Sequence, residues 1–237
     1  MADHPDDIAF RRQGARTLTN TVLGESAVPS LSDQAYRIIK RKVVTACELP
    51  PGSIINESQL KDELGMGRTP IREALQRLAR EDLVTILPRR GMYVPEISIT
   101  DLRDIFEARE PIEIATVRAA AERATDDEIA IMEGLVQQIP PACLADDCYK
   151  LMEIDERFHE YLAEASRSRF LADALNWLYS LSLRVWYLAV PQLGTMENAM
   201  QEHLALVEAL KRRDPSAAAA AVHRHLDDFR ARIRAVF

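Results

Sequence analysis

Four of the five histidines lie beyond residue 155, at His159, His203, His223 and His225. Three of them sit where a helix would turn them inward. Asp155 and His159 are four residues apart, so on one helix they project from the same face a turn apart. Met152 and Leu162 continue that face. His203 falls in a stripe with Met200, Val207 and Leu210, and His225 lies among Val222, Leu226 and Phe229. His223 stands two residues from His225, about 200° round the helix, and is expected to face solvent. One carboxylate and three imidazoles thus occupy apolar faces of three helices. A single histidine on such a face is ordinarily a core residue with its own partner. Four such groups would each need one, because a buried polar group without a partner is costly. If the faces converge, one divalent cation satisfies all four. A set of Asp155, His159, His203 and His225 suits zinc first, with nickel, iron or manganese as alternatives. Spacing alone leaves both readings open.

A second set of candidate residues is cationic. Arg68-Thr69-Pro70-Ile71-Arg72 opens a helix whose apolar face is Ile71, Leu75 and Leu78, so Arg68, Thr69 and Arg72 point away from that face at its start. An arginine fork can donate two bonds to guanine O6 and N7, and a helix N-terminus attracts phosphate. Arg89 and Arg90 follow in Pro88-Arg89-Arg90-Gly91, a turn signal. The alternative is a solvated face in which these arginines pair with Glu73, Glu81 and Asp82.

The elements that must position these groups follow from periodicity and punctuation. Residues 1–30 show no sustained period and read as a flexible arm. Ala35, Ile38, Ile39, Val43 and Ala46 recur at helical spacing until Leu49-Pro50-Pro51-Gly52. Asn56 offers a cap with Gln59 three residues on, and the short helix runs to Gly65. After the turn Gly65-Met66-Gly67, Thr69 is expected to cap a third helix with Pro70 at its first position. Leu83–Leu87 and Met92–Val94 then read as two short strands flanking the arginine turn. Three short helices and a hairpin, over residues 31–96, are the elements of a winged helix-turn-helix. From residue 100 onward the pattern is helical, at about 100–124, 126–138, 146–165, 168–189, 197–212 and 215–235. The expected fold is mainly α: the winged helix-turn-helix, then an all-helical antiparallel bundle over 100–237.

Composition narrows the function classes. The 237 residues are 47% hydrophobic and 28% charged, enough to bury a core. No run of about 18 apolar residues exists, so a membrane span is not expected. The N-terminal MADHPDDIAF carries three aspartates and does not read as a signal peptide. Three cysteines without a Cys-x-x-Cys pair argue against a disulfide scaffold or a cysteine zinc site, and a cytoplasmic location is expected. The net charge of -7 is unevenly divided: residues 1–95 hold 14 Lys and Arg against 12 Asp and Glu, and the rest 16 against 25. Only the front part has a balance suited to a polyanion.

Asn56-Glu57-x2-Leu60-x3-Leu64-Gly65-Met66-Gly67-Arg68-Thr69-Pro70-Ile71-Arg72-Glu73-Ala74-Leu75, with Leu78-x-Arg80-Glu81-Asp82-Leu83-Val84 and Arg89-Arg90-Gly91, resembles the DNA-binding signature of the GntR transcription regulators. The resemblance implies that Arg68 and Arg72 read bases or phosphates, that Thr69 binds phosphate, and that Arg90 and Gly91 enter the minor groove. Gly67 departs from it, since a small polar residue is usual there. Residues 100–235 resemble the all-helical FCD-type effector domain of the FadR subgroup through Phe106-Glu107-Ala108-Arg109, Asp155-x2-Phe158-His159-x2-Leu162, Glu202-His203-x6-Ala209-Leu210 and His225-Leu226. That resemblance implies a divalent metal on the Asp/His/His/His set, with coordination positions left for a small carboxylate. It also brings Arg109 to the pocket, where it would pair with the ligand carboxylate; the alternative is a partner for Glu110 or Glu113. Ser166-Arg167-Ser168-Arg169 departs from the Asn-containing turn frequent at one edge of that pocket. Trp186 and Tyr187 read as core or interface.

The expected function is a homodimeric regulator that binds double-stranded operator DNA and senses a small organic or sugar acid, most simply as a repressor, and not an enzyme. Two rivals stay open: a metal-dependent hydrolase or lyase built on Asp155, His159, His203 and His225, and a regulator whose metal is purely structural.

Overall fold

Local side-chain chemistry sets where the first helices begin. In the computed structural model, which describes residues 29–45, 48–139, 148–193 and 197–236, the Ser30 hydroxyl accepts from the Asp33 N–H and opens α1 (Leu31–Val44). The Asn56 side chain accepts from the N–H groups of Ser58 and Gln59 and opens α2 (Glu57–Leu64). Both take donors that a helix start otherwise leaves unsatisfied. Gly65 closes α2 in the left-handed region, at φ +62°, which glycine enters without the Cβ clash of other residues.

The next helix begins differently from the expectation. α3 (Arg68–Arg80) starts one residue before Thr69, and its cap is Gly67, which contributes no side-chain hydrogen bond. Thr69 and Pro70 therefore lie within the first turn, where the missing proline N–H has no intrahelical partner to lose. Ile71, Ala74, Leu75 and Leu78 form its buried face.

The two expected strands are shorter and shifted. Leu83 and Val84 are buried core residues that precede β2 (Thr85–Leu87), and β3 (Gly91–Tyr93) ends before Val94. A strand absent from the sequence reading, β1 (Ile54–Ile55), pairs antiparallel with β3, giving the order β1-β3-β2. Arg89, at φ +64°, and Gly91, at φ +95°, turn the β2–β3 hairpin.

Six helices follow: α4 (Ile99–Arg123), α5 (Asp126–Val136), α6 (Cys148–Ala165), α7 (Arg169–Leu193), α8 (Glu197–Lys211) and α9 (Pro215–Val236). Ser98 and Thr125 start α4 and α5 with reciprocal capping boxes, and the Asp214 carboxylate accepts from Ser216 and Ala217 at the start of α9. α4 packs against α9, α7 and α6, while α8 packs on α9 and α5. Phe158, Leu162, Met152, Leu210 and Leu226 are among the fully buried side chains between them. The stretch 1–28 of the expected arm lies outside the described residues, as do parts of the segments around 46–47, 140–147 and 194–196.

Gly65→Ala forces a Cβ into the left-handed region at the turn of the helix pair. It should lower stability by about 1 kcal/mol, read as a shift in the urea unfolding midpoint at unchanged slope.

Candidate functional site: a histidine cluster and a basic head

Three helices bring the candidate ligands together. α6 brings Asp155 and His159, α8 brings His203, and α9 brings His225. One ring nitrogen from each histidine lies within 4.8 Å of the others. The Asp155 Oδ1 atom stands 2.9 Å from His203 Nε2 and 3.8 Å from His159 Nε2. His223 instead projects outward, 55% exposed, with Nδ1 2.6 Å from Glu110. The structure thus brings Asp155, His159, His203 and His225 together and separates His223 from them.

The imidazoles are held from outside by acids. His159 Nδ1 lies 3.2 Å from Glu113 Oε1 on α4, and His225 Nδ1 lies 3.0 Å from Glu202 Oε2. An acid on one ring nitrogen orients the ring and directs the other nitrogen toward a shared centre. Tyr179 on α7 donates its hydroxyl to Asp155 Oδ2 at 2.6 Å. Spacing did not reveal Tyr179 or Glu202, and Glu113 entered only as a partner for Arg109. Each comes from a different helix from the residue it holds.

Electrostatics favour the forms a cation would use. Burial is the largest influence on His159 and pulls its pKa down. Burial opposes ionisation of Glu113, but Arg109 and His159 outweigh it and hold the carboxyl far below its ordinary range. Asp155 behaves likewise, with the facing imidazoles outweighing its burial. His159 is 2% exposed, and neither of its ring nitrogens makes a well-formed hydrogen bond. A small cavity of about 10 Å³ borders Glu113, His159, His203 and His225, about enough for one water-sized occupant. Buried nitrogen donors lacking hydrogen bonds, a facing carboxylate and room for one small species are what a divalent cation requires.

A second cavity, about 30 Å³, adjoins the cluster and is lined by Arg109, Asp155, Tyr179, Trp186, Glu202, His225, Phe229 and Arg232, with three others. Arg109 pairs with Glu113, its Nε donating at 2.7 Å, as the alternative sequence reading had it, and it also borders this cavity. Trp186 is buried, as expected of core, but it also forms cavity wall, against Phe229 at 4.6 Å between ring centroids. The turn at residues 166–169 lines neither cavity, because Ser166 packs instead under Arg123, whose guanidinium donates to its carbonyl.

On the head, Arg68, Thr69 and Arg72 are exposed at the start of α3, and Arg89, Arg90 and Gly91 are exposed at the hairpin. Arg72 does not pair with the acids expected from spacing. Its Nε donates to Glu57 on α2 at 2.7 Å, which sets the guanidinium beside the turn of the helix pair. Arg77 lies 3.5 Å from Glu81 and from Asp33.

A winged helix-turn-helix joined to a helical bundle with an internal polar cavity defines a DNA-binding regulator with a sensing domain. Residues 31–94 match the bacterial regulatory proteins of the gntR family, and residues 104–228 match the FCD domain. The chain belongs to the GntR family of transcription regulators and carries an FCD effector-binding domain. It is 29% identical over 206 residues to the HTH-type transcriptional repressor RspR of Escherichia coli, covering 87% of this chain and 90% of that one. It is 31% identical to the Nta operon transcriptional regulator of Aminobacter aminovorans over 177 residues, 74% of this chain and 82% of that one. Among solved structures, E. coli McbR/YncC shares the fold with a TM-score of 0.80 at 22% identity, over 88% of this chain and 99% of that one. The relatives are transcription regulators, and no helix among the described residues is long and apolar enough to cross a membrane.

Glu113→Gln leaves the Arg109 guanidinium, 3% exposed, without its counter-charge. Metal-free protein should lose about 3–5 kcal/mol in urea unfolding. Because the Glu113 pKa is depressed in the folded state, its contribution is present above the ordinary value of 4.5 and is lost as pH falls below it. The acid limb of the stability profile should therefore be shallower in the variant.

Proposed function

We propose that this chain is a homodimeric repressor that senses a small organic or sugar acid at a divalent metal held by Asp155, His159, His203 and His225. The observation that carries the reading is the convergence of those four groups around buried His159 nitrogens that lack well-formed hydrogen bonds. Zinc suits the donor set first, with nickel, iron or manganese as alternatives. When bound, the metal supplies a Lewis-acidic contact for one carboxylate.

The protein's own residues set what can bind beside it. The two cavities are bordered by four acids, Glu113, Asp155, Glu202 and Asp228, and by two arginines, Arg109 and Arg232. The acids exceed the arginines by two charges, so the lining repels an anion until a dication restores balance. Acid sensing should therefore require the metal. Arg109 lies at the cavity edge and offers the acid a charge-assisted donor, while Trp186 and Phe229 exclude water.

Two winged heads on a dimer would meet successive major grooves of a pseudo-palindromic operator. Arg68, Thr69 and Arg72 would address base edges and phosphates there, and Arg89, Arg90 and Gly91 would reach the adjoining groove. The acid can alter occupancy only by binding DNA-competent and incompetent arrangements with different affinities. The name of RspR, a repressor, supports the sign chosen here.

His159→Ala and His203→Ala should each lower bound metal in purified protein, read by atomic absorption, while His223→Ala keeps it. Loss of metal in His223→Ala with retention in the other two would overturn the assignment. On operator fragments selected from random DNA, Arg72→Ala should lose about 1–3 kcal/mol of affinity. Binding should also weaken steeply with salt. Equal affinities for Arg72→Ala and the unaltered chain would remove Arg72 from recognition.

A further inference from the structure

One helix touches both the histidine cluster and the DNA-binding head. α7 carries Tyr179 and Trp177 two residues apart, so their side chains leave the helix on roughly opposite sides. On one side, Tyr179 donates to Asp155 Oδ2 at 2.6 Å. On the other, the Trp177 indole N–H donates to the Glu81 carbonyl at 3.0 Å.

Glu81 is not an arbitrary docking point. It is the C-cap of α3, and its own N–H closes the last turn of that helix on Leu78 and Ala79. Its carboxylate accepts the Tyr36 hydroxyl at 2.8 and 2.9 Å and lies 3.4 Å from Lys40. A pull on this one carbonyl therefore acts on the end of α3 and, through Tyr36, on α1. A second tie from α7 holds the exit of the hairpin, where Arg184 donates to the Pro95 carbonyl at 2.6 Å. Between these regions lies an open cleft of about 700 Å³, bordered by Lys40 and Arg41 of the head and by Glu156 and Glu160 of the bundle. The cleft leaves the head room to move, so specific ties decide its orientation.

We propose that α7 transmits the state of the cluster to the recognition helix, Tyr179 responding to Asp155 and Trp177 acting on the Glu81 carbonyl. Both are positioning residues, whose effect passes through the groups they hold, Asp155 and the Glu81 carbonyl. The trigger, though not the tie itself, rests on the metal reading above. A cation drawing on Asp155 changes what that carboxylate offers the Tyr179 hydroxyl, and α7 carries the change toward Trp177. Such coupling requires an energetic link between the two contacts and not mere adjacency.

Hydrogen–deuterium exchange on the full chain tests this, read on the segment 78–84 with and without zinc, with zinc affinity measured separately. Zinc should change exchange there by about fivefold. Trp177→Phe, which keeps the ring and loses the N–H, should bind zinc as tightly and lose that response. Tyr179→Phe, without zinc, should alter exchange in the same segment, and not when Trp177→Phe is already present. A Trp177→Phe chain that responds to zinc as the unaltered chain does, or two substitutions whose effects simply add, would overturn the proposal. If zinc fails to bind but the two substitutions are coupled, the metal reading fails and the transmission through α7 stands.

Discussion

Charge balance inside the bundle is the constraint on which the rest of this structure depends. Arg109 and Glu113 are both almost fully buried, at 3% and 0% side-chain exposure, and neither is tolerable there alone. Their pairing fixes the Glu113 carboxylate, which in turn stands behind His159. Glu202 does the same for His225, and Tyr179 for Asp155. The inner groups are thus oriented by a shell drawn from three helices, α4, α7 and α8. Three imidazoles and one carboxylate meet in a buried space, and under the metal reading a dication would also offset the surplus of acids around the cavity.

The head follows simpler rules. Its core is built from Ile39, Leu75, Leu78, Leu83 and Val94, all essentially inaccessible, and its arginines remain outside because no apolar position is available to them. What makes the head more than an appended module is its attachment through α7. Docking runs through one backbone carbonyl at the end of α3 and another beyond β3. Both acceptors belong to the main chain, so these ties do not depend on the side chains of Glu81 and Pro95.

Much of the helical architecture was legible in advance, because long amphipathic segments carry their period openly and residues such as Asn56 and Asp214 punctuate them. The head was less so at its edges. β1 is only two residues long and exists because Ile54 and Ile55 meet Tyr93 and Met92 across the sheet, a pairing without local signal. The expectation of Thr69 as a cap failed because Gly67 already had the extended backbone a cap needs, with ψ 166°. In the cluster, inward faces identified Asp155, His159, His203 and His225, whereas Tyr179 and Glu202 gain their roles only from helices meeting in space. Arg109 resisted a single reading from sequence, since it pairs with Glu113 and also borders the cavity.

The central claim is that acid sensing runs through a metal on the Asp155 cluster. A thermal-shift screen of small carboxylates and sugar acids, run on metal-loaded and on chelator-stripped protein, addresses it most directly. The account predicts at least one acid that raises the unfolding temperature of the loaded protein and leaves the stripped protein unmoved. An acid that stabilises the stripped protein equally well would contradict it.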